Sequence, residues 1–440
     1  MQDIKVVIGG NFGDEGKGLM TDYFAADAAK AGRRVLVICS NGGAQRGHTV
    51  VTSEGVRHVF HDFGSGTFAG ADTWLPGYFI VNPMIFMQEY EALTEAGAFS
   101  KTGRRVGKGA REGREKYRIF MDPECPVSTP YDMITNQILE EHRDAGRHGS
   151  CGVGIWETLI RDGLRLGELC GMTDEAIRGC LYGECRDYLR RRLAAAGIRE
   201  IPADWKDILE DEGLVENYIA DFRRMCALTE LREAEILQGY DRIIFENGQG
   251  LLLDRSRKEY GCHTTPSNTG LRNPAALIRE YVRLLRNMDQ MKLLSNNFAR
   301  GPEHRQGKQS WDDNIHAGII DVEVCYVTRT YLTRHGAGRF DEECEKAEIN
   351  ASMVDRTNVP NPHQGTLRYG RLDEKAFLRR IREDYDSERL PEGCVKRITV
   401  AVTHANEYAA PLLRRGYYIS DRETRDSVKE RAGGHLRRYA

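Results

Sequence analysis

Gly9-Gly10-Asn11-Phe12-Gly13-Asp14-Glu15-Gly16-Lys17-Gly18 follows the apolar run Ile4-Lys5-Val6-Val7-Ile8 and runs into a helical pattern from Leu19 to Ala29. A β-branched run that breaks into glycines and resumes with helical spacing reads as strand, phosphate loop, helix. Such a turn aims backbone N–H groups and a helix N-terminus at an anion, and Lys17 adds a positive charge there. The loop departs from a Walker A loop. Five residues rather than four separate Gly10 from Gly16, and Gly18 stands where a Ser or Thr would hold magnesium. Asp14 is therefore the candidate metal ligand and a candidate base, since a carboxylate beside a lysine supplies a hard oxygen.

Working outward, Arg34-Val35-Leu36-Val37-Ile38-Cys39 is a second buried strand, so the first elements form a parallel βαβ unit. Asn41-Gly42-Gly43-Ala44-Gln45-Arg46-Gly47-His48-Thr49 then falls at that strand's carboxyl end, beside the first loop, where open α/β sheets bind ligands. Together the two clusters resemble those of the adenylosuccinate synthetase family, whose signatures are a GDEGKG loop and a GG-x-N-A-GHT loop. The first is intact here and the second reads GG-A-Q-R-GHT.

At 440 residues with a formal net charge of −3, the chain can bury a large core and gives no electrostatic reason to expect nucleic acid or an anionic membrane as partner. Eleven cysteines without zinc-like pairs, and no N-terminal signal pattern, suit a reducing cytoplasm and free thiols. No apolar run approaches the length needed to span a bilayer.

Farther along, His58–His61 and Tyr78–Val81 read as short strands, and Asn82-Pro83 caps a helix to about Ala96. Tyr117–Met121 reads as a strand and Tyr131 to Ala145 as a helix. His148-Gly149-Ser150-Cys151-Gly152-Val153-Gly154 suits a loop around a phosphate. It corresponds to the family's G-T-T-G-R-G-I-G, with Ser150 and Cys151 at the threonine positions, so one hydroxyl is replaced by a weaker donor. Arg161 matches an arginine that the family sends across its dimer interface to the partner's nucleotide. Residues 173–237 are mostly helical and charged, expected as a helical insertion, with the Arg190–Arg192 run on a solvated face.

Asp241–Phe245 restores a strand and leads into Glu246-Asn247-Gly248-Gln249-Gly250-Leu251-Leu252-Leu253-Asp254, which resembles the family's E-G-A-Q-G-x-x-L-D. The resemblance makes Gln249 the nucleotide-binding glutamine, and Thr265 in Thr264-Thr265-Pro266-Ser267-Asn268-Thr269 a phosphate ligand. The segment 287–316 is polar and has no family counterpart, so it is expected to be an insertion or mobile loop. Val324-Cys325-Tyr326-Val327-Thr328-Arg329-Thr330-Tyr331-Leu332-Thr333-Arg334-His335-Gly336-Ala337-Gly338 returns to the pattern, resembling A-Y-x-T-R-V-G-A-G.

Two departures touch substrate choice. The family's aspartate loop, T-T-G-R-x-R-R, is replaced by a stretch in which Gln364, Thr366 and Arg368 remain as donors for an α-carboxylate, with His363 beside them. A strand ending in Thr403-His404-Ala405-Asn406 stands where the family's T-K-x-D reads guanine, and the later I-S-T-G-P-x-R element becomes Ile419-Ser420-Asp421-Arg422. An amide at Asn406 can accept from the adenine 6-amino group while donating to N1, a pairing an ionised carboxylate cannot complete. This points to ATP or dATP over GTP.

The resulting expectation is an α/β fold with a mainly parallel central sheet and helical insertions, as one domain over residues 1–440, working as a homodimer. The resemblance implies a purine-biosynthetic C–N ligase that joins L-aspartate to C6 of a 6-oxopurine nucleotide through a 6-phosphoryl intermediate, with Mg2+ and a nucleoside triphosphate. In that scheme Asp14 takes the N1 proton, His48 hydrogen-bonds the transferring phosphoryl, and Lys17 completes the cradle. Asp14 and the Gly47 carbonyl hold the metal. Asn11, Gly13, Glu15, Gly16, Gly18, Gln45, Ser150, Cys151, Arg161, Gln249, Thr265 and Asn406 bind nucleotide. A guanylate acceptor is the close alternative, and Asp14, which guanylate-using variants generally lack, favours IMP. A catalytically inactive nucleotide-binding regulator is the rival of another class, opposed by the joint presence of Asp14, Lys17 and His48. A generic P-loop NTPase lacks both the loop spacing and the magnesium hydroxyl.

Overall fold

The computed structural model describes residues 2–99, 118–299, 320–354, 365–392 and 394–431. Its centre is a ten-stranded sheet. In chain order the strands are β1 (Gln2–Gly9), β2 (Val35–Cys39), β3 (Asp72–Leu75), β4 (Ile119–Met121), β5 (Thr229–Leu231), β6 (Arg242–Gly250), β7 (Ile320–Arg329), β8 (Val395–Thr403), β9 (Tyr418–Ile419) and β10 (Lys429–Glu430). Their spatial order is β10-β9-β8-β7-β1-β6-β2-β3-β4-β5, parallel throughout except for the β9–β10 pair. This is the mainly parallel sheet expected from the sequence.

β1 is buried along its length from Asp3 to Gly9, as the continuous apolar run of a doubly covered parallel strand requires. It is flanked by β6, with Val7 opposite Glu246, and by β7, with Gly9 opposite Val327. The chain therefore leaves β1 in one direction toward β2 and returns on the other side through β7, so the loop after β1 lies at a switch point of the sheet. Ile4, Val6 and Ile8 pack with Ile243, Phe245 and Val324 in one core, while Val7 joins Met20, Phe24 and Ala25 of helix α1 (Lys17–Lys30) in another.

Helix α2 (Pro83–Glu95) begins at Asn82, whose side chain accepts from the Met84 and Ile85 amides. Helix α3 (Pro130–Arg143) opens with a capping box between Thr129 and Asp132, and α4 (Ile155–Arg161) follows the Gly149–Gly154 loop. His48–Val51 and Arg57–Phe60 form an antiparallel hairpin rather than joining the main sheet. Between α4 and β6 the chain is largely helical, including Asp174–Cys180, Arg186–Ala195, Ala203–Glu210 and Glu212–Leu228.

Two elements run longer than the sequence suggested. β6 continues through Glu246-Asn247-Gly248-Gln249-Gly250, because pairing with β1 and β2 satisfies a backbone that its glycines alone would leave as loop. Helix α5 spans Arg272–Ala299, so residues 287–299, expected within a polar insertion or loop, are helical. Leu277, Ile278, Tyr281 and Val282 bury one face of that helix, and its register carries on from there. Residues 300–316 of the expected insertion lie outside the described residues. The eleven cysteines are free. Among the described residues no helix is long and apolar enough to cross a membrane.

Candidate active site

The phosphate loop is held in shape by its own acid. Glu15 is buried, and its Oε1 accepts from the Asn11 and Gly13 amides, each at 2.9 Å, while Oε2 lies 3.0 Å from Lys17 Nζ. Burial works to raise the Glu15 carboxyl, but Lys17 and the two amides outweigh it and hold it below the ordinary carboxylate range. Asn11, Gly13, Glu15 and Lys17 thus answer one another, and the Glu15 carboxylate occupies the anion position of the loop. Asp14 is different. Its backbone is left-handed, with φ 59°, and its side chain is partly exposed, 3.4 Å from His335 Nε2. Gly16 caps α1, also left-handed, and at Gly18 a Cβ would come within 2.8 Å of the Thr49 carbonyl oxygen. The glycine at position 18 lets the first helix touch the second loop.

That second loop brings His48 to the same strand ends. His48 is buried, with Nδ1 2.8 Å from Glu246 Oε1 and Nε2 2.8 Å from the Gly248 carbonyl oxygen. Arg46 donates to Glu246 Oε2 at 2.9 Å, and the Ser65 amide also donates to it. Burial, supported by Arg46 and opposed by Glu246, holds the His48 pKa below its ordinary value. Burial also acts to raise the Glu246 carboxyl, yet the His48 imidazole and the Arg46 guanidinium keep it well below the usual range. Glu246 therefore stays ionised and holds Arg46, whose Nη2 also lies 3.1 Å from His48 Nδ1.

A cavity of about 390 Å3 opens beside these loops and gathers Gln45, Ser150, Cys151, Gln249 and Thr265 on one wall system. Five side chains expected to bind nucleotide, from four separate segments, meet there. Both amide atoms of Gln45 and the Thr265 hydroxyl are buried without a hydrogen-bond partner, so the cavity carries donors and acceptors aimed at a polar ligand. Ser150 is fixed by Asn136 of α3, whose Nδ2 donates to Ser150 Oγ at 2.9 Å, and Asn41 Nδ2 donates to Gln249 Oε1 at 3.3 Å. Burial pushes the Cys151 thiol up to about 11, so it stays protonated. Arg192, read from sequence as part of a solvated run, instead lines this cavity and pairs with buried Glu157 at 2.9 Å.

Other expected site residues lie elsewhere. Arg161 is tied into its own chain. Its Nε donates to Asp132 Oδ1 at 2.8 Å, and two further guanidinium contacts go to Asp132 Oδ2 and the Val127 carbonyl. A carboxylate with matching fork geometry competes for the guanidinium that was expected to cross to a partner subunit. Arg368 likewise forms a fork-to-fork pair with Glu343 and donates to the Gly336 and Gly338 carbonyls, so it props that turn and does not present a free face to a substrate carboxylate. Thr366 is exposed, and Gln364 and His363 lie outside the described residues. Asn406 is exposed in the turn after β8. By the strand order it flanks the phosphate loop on the side opposite β6 and its cavity wall.

For a divalent cation the donor set is Asp14 and the exposed Gly47 carbonyl, with no cluster of three or more metal-ligating side chains among the described residues. One hard carboxylate beside a phosphate loop fits magnesium, which is commonly held by one or two carboxylates plus substrate phosphates.

Sequence reading did not single out several residues that the fold recruits. Glu246 and Arg46 meet only because β2 and β6 are neighbours. Arg329 donates through Nε to the Asp14 carbonyl at 2.5 Å, and Arg380 donates through Nε to the Gly10 carbonyl at 2.7 Å. The available signal for Glu246 was its place at a strand end inside a family motif. Arg380 sits in a charged helix, Glu374–Ser387, and had none.

The adenylosuccinate synthetase family model matches residues 6–279. The adenylosuccinate synthetase of Chromohalobacter salexigens is 29% identical over 269 residues, which make up 60% of this chain and 56% of that relative. The chain spans little more than half the length of the curated relatives it matches. Among solved structures, the fully ligated adenylosuccinate synthetase of Plasmodium falciparum superposes with a TM-score of 0.59 at 17% identity, covering 91% of this chain and 76% of that one. The succinoaminodeoxyadenylate synthetase of cyanophage S-2L, bound to dGMP and dATP, superposes with a TM-score of 0.56 at 14% identity, covering 98% and 95%. At these identities the structural likeness shows the fold.

Proposed function

Because the chain belongs to the adenylosuccinate synthetase family, we propose that it is a C–N ligase joining the amino group of L-aspartate to C6 of a 6-oxopurine nucleotide, with IMP as the acceptor. The observation that carries this is the cavity where Gln45, Ser150, Gln249 and Thr265 converge beside the Asp14 loop, with buried polar atoms awaiting partners. A purine oxygen is a poor leaving group, so it is first phosphorylated. Asp14 takes the N1 proton, the electron pair moves to O6, and O6 attacks the terminal phosphorus of the donor, breaking its bond to the bridging oxygen and releasing the nucleoside diphosphate. His48, whose Nδ1 faces the Arg46 guanidinium at 3.1 Å, turns its Nε2–H from the Gly248 carbonyl to the transferring phosphoryl oxygen. The aspartate amine then displaces phosphate from C6.

Asp14 and the Gly47 carbonyl would hold magnesium, which neutralises charge on the phosphates when bound. Lys17 shares that role once the incoming phosphate displaces the Glu15 carboxylate from the loop. On the far side of the loop Asn406 reads the donor base, favouring ATP or dATP over GTP; the cyanophage relative, whose donor is dATP, supports this reading. The working state is a homodimer.

The test is a matrix of purified protein, magnesium and aspartate with IMP, GMP or dGMP against ATP, dATP or GTP, following phosphate release and the succinylated product. Product from IMP with an adenine donor is expected. A clear kcat/KM advantage for a guanylate would replace the acceptor, and one for GTP would remove Asn406 from the donor site. No product from any pairing would overturn the ligase reading.

A further inference from the structure

The family pattern has valine where this chain has His335, and the structure brings that imidazole to the base. His335 follows the short strand Leu332–Arg334, which is docked onto the phosphate loop: Thr333 Oγ1 donates to the Gly13 carbonyl at 3.3 Å. Arg329, at the end of β7, donates to the Asp14 carbonyl at 2.5 Å. The Asp14 backbone is therefore clamped in its left-handed conformation, a state a non-glycine residue adopts at a cost. Its carboxylate is not clamped in the same way. Its side-chain neighbour among the described residues is His335, with Nε2 3.4 Å from Oδ2. That distance is long for a hydrogen bond and of the kind that tightens when substrate closes the site. His335 also lines the cavity that holds Gln45 and Gln249, and its Nδ1 is buried without a partner.

We propose that His335 is a positioning residue for Asp14: its Nε2–H holds the carboxylate in the orientation that meets the purine N1–H. This rests on the ligase reading given above. An aliphatic side chain at this position offers no donor, so the same base in a valine-containing site must be oriented by other means. The histidine adds a rotational restraint to the one catalytic side chain whose backbone is held but whose head group is otherwise free to turn. Positioning errors of about 1 Å can cost on the order of a hundredfold in rate.

The experiment compares His335→Val and His335→Asn in the wild-type and Asp14→Asn backgrounds, with steady-state kinetics and thermal unfolding for each. His335→Val should lower kcat about ten- to a hundredfold, with the KM for the acceptor nucleotide changed less than about threefold. His335→Asn, whose amide can still donate, should recover part of the loss. In the Asp14→Asn background His335→Val should cost no further activity, since the group it orients is gone. Equal losses for the two substitutions, a pure KM effect, or a full additional loss in the double variant would each overturn the assignment. Should the wild type form no succinylated product, the ligase reading fails by itself, and the contact is then decided by the 15N resonance of His335 Nε2. It should move on Asp14→Asn substitution, and an unchanged resonance would dismiss the pairing.

Discussion

Replacing Glu246 with glutamine removes one charge from a fully buried position and keeps the side-chain volume. In the native protein its two oxygens are divided between Arg46 at 2.9 Å and His48 at 2.8 Å, with the Ser65 amide at 3.1 Å. The substitution strips Arg46, itself buried, of its direct counter-charge. Breaking a buried pair from one side typically costs about 3–5 kcal/mol, and the amide oxygen retained by glutamine places this case near about 3 kcal/mol. Unfolding in urea at neutral pH measures that difference.

The pH dependence carries a second signature. His48 and Glu246 both have folded pKa values below their ordinary 6.5 and 4.5, so the unfolded chain binds more protons than the folded one as the pH falls. Their stabilisation is fully present above pH 6.5. It declines through the His48 step and then, below 4.5, through the Glu246 step. The glutamine variant loses the second step. With the Arg46–Glu246 pair beside its Nδ1 weakened, His48 should also serve catalysis poorly, by about a hundredfold in kcat. A variant within about 1 kcal/mol of wild type at neutral pH, or one with unchanged acid sensitivity below pH 4.5, would refute the view that Glu246 is an ionised anchor.

Asp14→Asn and His48→Asn should each reduce product formation by about a hundredfold or more while the circular dichroism spectrum stays native; near-normal turnover in either variant would exclude it from the chemistry. Gly18→Ala drives a methyl group to within 2.8 Å of the Thr49 carbonyl and should cost about 1–3 kcal/mol while displacing the second loop, seen as weakened nucleotide binding by calorimetry. Arg161→Ala leaves Asp132 buried without its partner and should destabilise the fold by about 3–5 kcal/mol. If activity instead disappears with stability unchanged, and is restored by mixing with Asp14→Asn chains, the guanidinium acts across a dimer interface. Asn406→Asp should shift donor preference toward GTP by about tenfold in kcat/KM, since a carboxylate accepts from both the guanine N1–H and the 2-amino group and one hydrogen bond is worth about 1 kcal/mol.

The sequence by itself determined the parallel sheet, the phosphate loop and most of one cavity wall. Ile4, Val6, Val7 and Ile8, with Lys5 buried against Glu323 between them, and Val35 to Cys39 form runs that must be covered on both faces, and the glycines after each run mark where the strand stops and a ligand can approach. Gln45, Ser150, Gln249 and Thr265 were legible because each sits in a short motif that resembles one of the family's.

What tertiary structure decided is which charges are already answered. A sequence shows an arginine as a free cation. Only the fold shows that Asp132 has taken Arg161, Glu343 has taken Arg368, and Glu15 has filled the anion position of its own loop. It likewise sets Glu246 against Arg46 and His48 across two adjacent strands, and His335 against Asp14 at a separation of more than three hundred residues. Ion pairing depends on distances of a few ångströms between segments remote along the chain. Local spacing encodes the backbone's shape and the face it buries, and it carries no record of those distances.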